Sequence, residues 1–215
     1  IHGFEPMAAN QLWVADITYI MLNNGDVCYL HLITDAYSRM IVGWELADTL
    51  RASITIKALE QAISQTEGVS LEGLTHHSDR GVQYCCDDYV RMLQTHKIKI
   101  SMTEDYNPTD NAIAERANGV IKTETVYSRK TFNSLEHARN VIGRFIHFYN
   151  YRRPHMSIGY KIPAVVHTET GAQKKMWKKK NYPKKAYNNG NNGISLPCRT
   201  TGADDGCNHH TVYSI

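Results

Sequence analysis

The chain opens with three apolar segments of β-strand character that are separated only by short polar turns. The segments span residues 12–22, 27–34 and 40–46. β-Branched and aromatic residues are frequent in them, and the Asn-Gly pair in the first turn is a strong hairpin signal. Connections this short join neighbouring strands. The chain is therefore predicted to begin with three consecutive antiparallel strands.

Helical and β patterns alternate after the third segment. Helical spacing of apolar residues covers 53–65, 83–96, 111 to about 127 and 134 to about 152, and short β segments cover 74–78 and 98–102. This order predicts an α/β fold with a mixed five-stranded sheet flanked by helices. No run approaches the ~18 apolar residues of a transmembrane helix, so no membrane partner is expected.

Three acidic residues occupy distinctive positions in this pattern. Asp16 interrupts the first β segment, Asp79 ends the fourth, and Glu115 lies in the first turns of the third helix. Each has an ordinary alternative role, as an edge-strand charge, a helix cap or a solvated helix residue respectively. A carboxylate among β-forming residues is costly to bury unless it is paired or bound to metal. The three residues are therefore candidates for one functional site.

A site of three carboxylates favours divalent-metal and phosphodiester chemistry. Like charges repel, and a cation makes such a cluster favourable at neutral pH. Oxygen ligands with room for water and phosphate suit Mg²⁺ or Mn²⁺ better than structural Zn²⁺. Two such ions about 4 Å apart can hold the attacking and leaving oxygens of a displacement at phosphorus.

Three sequence motifs surround or follow these carboxylates. They are Thr-His-His-Ser-Asp-Arg-Gly-Val-Gln-Tyr at 75–84, Tyr-Asn-Pro-Thr-Asp-Asn-Ala-Ile-Ala-Glu at 106–115 and Tyr-Asn-Tyr-Arg-Arg-Pro-His at 149–155. Thirty-five residues lie between Asp79 and Glu115. In these motifs and their spacing, the chain resembles the catalytic cores of retroviral integrases and of bacterial insertion-sequence transposases of the Asp-Asp-Glu type. The resemblance covers roughly residues 10–165.

The resemblance implies a ribonuclease-H-like fold and a divalent-metal-dependent polynucleotidyl transferase. Asp16, Asp79 and Glu115 would be its catalytic and metal-binding residues, with two Mg²⁺ or Mn²⁺ ions. Water or a 3′-hydroxyl of DNA would attack a DNA phosphate, which gives 3′-end cleavage and strand transfer. Two alternatives stay open, namely a ribonuclease-H-type nuclease on the same fold and a catalytically idle DNA-binding remnant of a mobile element.

The resemblance also indicates residues that contact DNA. Lys122 follows Glu115 by seven residues, where family members place a Lys or Arg near the DNA end, and Asn111 lies one turn before Glu115. The further candidates are Arg80, Tyr106, Arg152 and Arg153. Arg152 and Arg153, together with His155, either contact phosphate or brace the fold. The expected partners are transposon-end DNA and target DNA, bound by a homo-oligomer.

Charge is distributed unevenly along the chain. The net charge of the 215 residues is +3, and the part from Gln173 onward contains eight Lys or Arg and two Asp or Glu. The last part therefore carries +6 and the part before it −3. We interpret 12–172 as the catalytic core and 173–215 as a basic C-terminal tail, flexible or ordered by a partner, that binds the DNA backbone. Residues 1–11 are interpreted as a linker or the start of a fragment.

The cysteine content favours a reducing compartment. The five cysteines are odd in number and lack the spacing of a disulfide framework. The first residues have neither the basic nor the apolar region of a signal peptide. A cytoplasmic protein is therefore expected, and the resemblance implies a bacterial, nucleoid-associated one. Cys198, Cys207, His209 and His210 lack the spacing of a zinc finger, so zinc is not the expected metal.

Overall fold

One mixed sheet forms the centre of the fold. The computed structural model describes residues 4–103, 112–126, 132–174 and 176. The strands are β1 (Leu12–Met21), β2 (Val27–Asp35), β3 (Ile41–Ala47), β4 (Thr75–Ser78) and β5 (Lys99–Met102). Their order is β3-β2-β1-β4-β5, in which β1, β2 and β3 pair antiparallel and β4 and β5 continue parallel to β1. The predicted mixed five-stranded sheet is confirmed.

Helices cover the sheet. They are α1 (Ala52–Ser64), α2 (Asp87–Thr95), α3 (Ala112–Ile121), α4 (Leu135–Tyr151) and the short α5 (Pro163–Val166). Helix α3 continues into a π-helical turn (Lys122–Val126), and a 3₁₀ turn (Met156–Ile158) precedes α5. Within the described ranges, no helix is both long enough and apolar enough to cross a lipid bilayer. Except for residues 173, 174 and 176, the predicted tail lies outside the described residues.

Alternate residues of β1 face two different hydrophobic cores. Trp13 and Ala15 pack against α1 and α2. Val14 packs with Ala114 of α3, and α4 covers the same face farther along the strand. Because successive side chains of a strand point to opposite faces, Asp16 shares the face of Val14. The sheet therefore presents Asp16 towards α3.

Helix α1 lies unusually close to β3 at Gly43. A Cβ atom at this position would lie 2.1 Å from the carbonyl oxygen of Ala58 and 3.0 Å from the Cβ of Ala62. Only glycine allows the backbones of the strand and the helix to approach this closely.

The two ends of the described core meet at one edge. The N–H of Gly171 donates to the carbonyl oxygen of Met7 at 2.7 Å, and Ala8 pairs with Thr170 in an antiparallel bridge. The N–H of Asn10 donates to a carboxylate oxygen of the buried Asp35 at 2.8 Å. The segment that precedes β1 is therefore hydrogen-bonded to the core.

Helix α2 begins four residues later than the sequence predicted. Residues 83–86 precede it, and the N–H of Tyr84 donates to the carbonyl oxygen of Gly81 in a turn at 2.9 Å. The helix begins at Asp87, with Asp88 beside it in the first turn, where acidic side chains interact favourably with the positive end of the helix dipole. The predicted start at residue 83 was wrong, and the two adjacent cysteines lie before the helix.

Ser134 caps the N-terminus of α4, where the sequence predicted a helix start. Its Oγ accepts a hydrogen bond from the N–H of His137 at 3.1 Å. Ser134→Ala is expected to lower the free energy of unfolding by about 1 kcal/mol, because this N–H loses its partner. Urea unfolding measures the change, with Ser53→Ala, at an exposed position in α1, as the control. Equal losses in the two variants would contradict the capping role.

Candidate active site

Parallel pairing of β1 with β4 brings two of the three predicted carboxylates together. Val14 of β1 is paired with His77 of β4. The same register, continued by two residues, aligns Asp16 with Asp79. Asp79 follows the end of β4 and is exposed, and its Oδ1 accepts a hydrogen bond from the N–H of Gly81 at 2.9 Å. This turn fixes the orientation of the Asp79 carboxylate.

Asp16 is the more enclosed of the two aspartates, and both of its oxygens are hydrogen-bonded. Oδ1 accepts from the N–H of Ile17 at 2.9 Å, and Oδ2 accepts from the side-chain amide of Asn118 at 2.7 Å. Burial raises the pKa of Asp16 to about 6, and the charges of Asp79 and Glu115 add to this rise, while the two hydrogen bonds oppose it. The carboxylate is therefore held in one orientation in an environment that disfavours its charge.

Helix α3 presents a polar stripe to Asp16. Glu115 lies one turn before Asn118 and is exposed, and Lys122 follows Asn118 by four residues. Residues at these spacings share one side of a helix. The amine of Lys122 lies 4.1 Å from the centroid of the Tyr19 ring. Burial lowers the pKa of Lys122 and the charge of Asp16 opposes this shift, which reflects how close the two groups lie.

Asn118 is the site residue that sequence reasoning missed. It is buried on α3, and its side chain links α3 to β1 through Asp16. A signal was present, because Asn118 lies three residues after Glu115 and four before Lys122. Because Asn118 lies on the same helical face as two candidate site residues, its side-chain amide can orient a carboxylate on the strand that faces α3.

The donor chemistry of the three carboxylates fits a hard divalent cation. The described residues include no group of three His, Cys, Asp or Glu side chains close enough to hold a metal ion together. Asp79 and Glu115 nevertheless both act on the Asp16 carboxylate through their charges, and the β1–β4 register leads towards Asp79. A bound cation would offset the cost of burying the Asp16 charge and the repulsion from the other carboxylates. These two effects raise the pKa of Asp16 in its absence. Carboxylate oxygens are the ligands that Mg²⁺ and Mn²⁺ prefer.

The remaining predicted DNA contacts lie in different places. Arg80 is exposed in the turn after β4, and Arg152 is exposed at the C-terminal end of α4. Arg153 pairs with Glu124, because its Nε lies 3.1 Å from both carboxylate oxygens and Nη2 lies 2.5 Å from one of them. This pair braces the end of α4 against the π-helical turn. Asn111 and Tyr106 lie outside the described residues.

The fold is that of retroviral integrase catalytic cores. The chain superposes on the catalytic core domain of HTLV-2 integrase in complex with magnesium with a TM-score of 0.59, at 20% identity over 76% of this chain and 99% of that one. It superposes on a chain of the simian T-cell lymphotropic virus intasome with a TM-score of 0.66, at 20% identity over 83% of this chain and 62% of that one. These likenesses confirm the predicted ribonuclease-H-like fold.

Sequence comparison places the chain in a family. Two profiles described as integrase core domain match residues 6–108 and 96–163. A protein named for the transposase of insertion sequence element IS986/IS6110 in Mycobacterium tuberculosis is 37% identical over 174 residues, which are 80% of this chain and 62% of the relative. The transposase of IS629 from Shigella sonnei is 32% identical over 72% of this chain and 51% of the relative. The two profiles together span residues 6–163, so the chain belongs to the integrase core domain family. It is similar in sequence to insertion-sequence transposases, and it spans between half and two thirds of the length of these relatives.

Proposed function

We propose that this domain cleaves DNA at 3′ ends and transfers the strand to a second DNA site, and that Asp16, Asp79 and Glu115 hold two Mg²⁺ or Mn²⁺ ions for this reaction. The observation that carries the proposal is the buried Asp16 carboxylate, which Asn118 of α3 holds by a hydrogen bond and whose pKa the nearby charges of Asp79 and Glu115 help to raise. The names of the bacterial relatives and the magnesium complex of the HTLV-2 core support it.

The residues of the chain have separate tasks in this reaction. The ions, when bound, would orient the reacting oxygens and neutralise charge that develops at phosphorus. The hydrogen bonds of Asn118 and Ile17 keep the Asp16 carboxylate in one orientation, and Lys122 supplies a positive charge beside it. In strand transfer, a 3′-hydroxyl oxygen bonds to a target phosphorus while the bond from that phosphorus to the target 3′-oxygen breaks. The departing 3′-oxygen takes up the proton.

DNA binding completes the proposed function. Lys122 and Asn111 would orient the transposon end, and Arg80, Tyr106 and Arg152 would contact the phosphodiester backbone. Arg153 has the different task of bracing the fold through Glu124. We further propose a homo-oligomer as the active form, since the HTLV-2 core is described in trimeric and dimeric forms. Such an assembly would act at the bacterial nucleoid.

A strand-transfer assay tests the proposal. The chain is incubated with a labelled duplex that carries a free 3′-hydroxyl, in Mg²⁺, in Mn²⁺ and in EDTA. Joined products that depend on metal would support the transferase. Cleavage without joining, and activity on an RNA–DNA hybrid, would instead indicate a ribonuclease-H-type nuclease. Salt-sensitive DNA binding with no reaction in any metal would contradict catalysis by this chain on its own.

Asn118→Ala is expected to weaken metal binding at Asp16. The change removes the donor that orients Oδ2, and removal of such a supporting hydrogen bond typically costs 10–100-fold in metal affinity. The rise in Tm with added Mn²⁺ measures the apparent affinity, and circular dichroism checks the fold. Asn140→Ala, at an exposed position on α4, is the matched control. An unchanged Mn²⁺ affinity in Asn118→Ala would remove Asn118 from the site.

A further inference from the structure

A cavity lined by both apolar and polar residues lies on the other side of α3 from the carboxylates. Its volume is about 570 Å³, and residues of β2, α3, the end of α4 and the 3₁₀ turn line it. Arg116, which directly follows Glu115, reaches the cavity from α3 and is exposed at its mouth. Consecutive residues of a helix point about 100° apart, so α3 can serve the two sites with neighbouring side chains.

Two guanidinium groups at this cavity have no carboxylate partner among the residues that the structure describes. Within the described ranges, neither Arg39 nor Arg116 lies within ion-pair distance of an Asp or Glu. Arg39 is half-buried and has a φ of 68°, and its Nη1 donates to the carbonyl oxygen of Ala36 at 2.6 Å. Burial lowers the pKa of Arg39, with the charges of Tyr149 and Asp35 opposing the shift. The fold therefore holds a partly desolvated cation here that forms no ion pair with a described carboxylate.

Two polar atoms of buried lining residues also have no hydrogen-bond partner in the described part of the chain. Thr34 is 1% exposed and its Oγ1 has no hydrogen bond, and His155 is 8% exposed and its Nε2 has none. Burial lowers the pKa of His155 to about 4, and the positive charge of Arg153 acts in the same direction. His155 is therefore neutral at pH 7 and can donate one hydrogen bond. Buried polar atoms without partners are rare, and an absent ligand is one explanation for them.

The charge and donors of this cavity match a phosphate group. The pair of Arg153 with Glu124 is close to neutral, and Asp35 offsets part of the charge of Arg39, so Arg39 and Arg116 leave a net positive charge at the cavity. Guanidinium groups bind phosphate oxygens bidentately, and a hydroxyl and an imidazole supply further donors. The volume of 570 Å³ exceeds what a phosphate ion alone requires and leaves room for an attached sugar.

We propose that the cavity bounded by Thr34, Arg39, Arg116 and His155 is a phosphate-binding site, filled either by a phosphate of the DNA backbone or by free phosphate. If the source is DNA, the site deepens the proposed function, because it would hold the strand roughly one helix diameter, about 10 Å, from Glu115. Phosphate binding here needs neither metal nor catalysis. It can therefore succeed or fail independently of strand transfer.

Isothermal titration with inorganic phosphate, in EDTA and at constant ionic strength, tests the site. We expect phosphate to bind the wild-type chain, and Arg116→Gln to bind it roughly tenfold more weakly because one charge-assisted hydrogen-bonding group is lost. Arg144→Gln removes the same charge from an exposed position on α4 and should bind phosphate like the wild type. Absence of phosphate binding by the wild type, or equal binding by Arg116→Gln, would overturn the proposal.

Thr34→Val separates binding from folding. It removes a buried hydroxyl that has no partner, so Tm should stay the same or rise, while phosphate affinity should fall. Unchanged phosphate affinity in this variant would also count against the site. The anisotropy of a short labelled duplex, titrated in EDTA, then identifies the source. If both Arg116→Gln and Thr34→Val bind the duplex more weakly, and phosphate competes with the duplex for the wild type, the site binds the DNA backbone. If the variants bind the duplex like the wild type but bind phosphate more weakly, the site binds free phosphate.

Discussion

Glu115→Gln is expected to lower metal-dependent strand transfer by roughly a hundredfold or more. The substitution keeps the shape of the side chain and removes its charge, and a metal ion supplies several kcal/mol of transition-state stabilisation that would be lost with a ligand. Glu115 is exposed, so the fold should be unaffected. The assay compares initial rates of joined product in Mg²⁺ and in Mn²⁺ for the two proteins.

A second measurement distinguishes a lost metal ligand from a general loss of activity. Added Mn²⁺ should raise the Tm of the wild type by mass action, and should raise that of Glu115→Gln much less. Glu60→Gln, at an exposed position on α1 on the opposite face of the sheet, should match the wild type in both assays. Transfer by Glu115→Gln within about threefold of the wild-type rate would exclude Glu115 as a ligand, since the loss would be under ~1 kcal/mol.

Gly43→Ala is expected to destabilise the fold by about 3 kcal/mol or more. The added Cβ would lie 2.1 Å from the backbone oxygen of Ala58, and backbone cannot rotate away as a flexible side chain can. Helix α1 would have to shift from β3 and loosen its packing on Trp13. For a domain of this size, such a loss lowers Tm by roughly 10 °C.

Gly119→Ala provides the opposite expectation for the same chemical change. Among the described residues, no atom outside its own helix lies within 4 Å of a Cβ at Gly119, which is near the C-terminal end of α3, just before the π-helical turn. Alanine should stabilise the helix there by about 0.5–1 kcal/mol, because glycine loses more backbone entropy on folding. Thermal unfolding of both variants checks the pair. A Gly43→Ala protein as stable as the wild type would show that α1 and β3 are not in close contact at this point.

The hydrophobic periodicity of the chain was sufficient to predict the sheet and most of its helices. Strands β1 to β5 begin and end within one residue of the predicted bounds. Apolar residues of β1, β2 and β3 fill the cores on the two faces of the sheet, which is why their pattern was readable in the sequence. The predicted start of α2 was wrong because apolar residues such as Tyr84 continue the helical spacing into the turn that precedes the helix. Local periodicity does not distinguish a buried turn residue from a helical one.

Long-range contacts account for what the sequence could not predict. The bond from Asn118 to Asp16 joins residues 102 positions apart, and no local pattern encodes it. The position of Arg39 beside α3 likewise depends on a turn between strands meeting a helix far along the chain. The catalytic assignment of Asp16, Asp79 and Glu115 stays a prediction, which the Glu115→Gln experiment addresses directly.

The backbone hydrogen bond from Gly171 to Met7 brings the two ends of the core polypeptide next to each other. Chain that enters before residue 7 and chain that leaves after residue 171 pass through the same corner. Adjacent termini let a domain be inserted into another protein, or cut and rejoined in a new order, without disturbing its interior. A short linker between residues 171 and 7 would therefore allow circular permutation. In a longer polypeptide, the parts before residue 7 and after residue 171 would therefore both be attached to the core at this one corner.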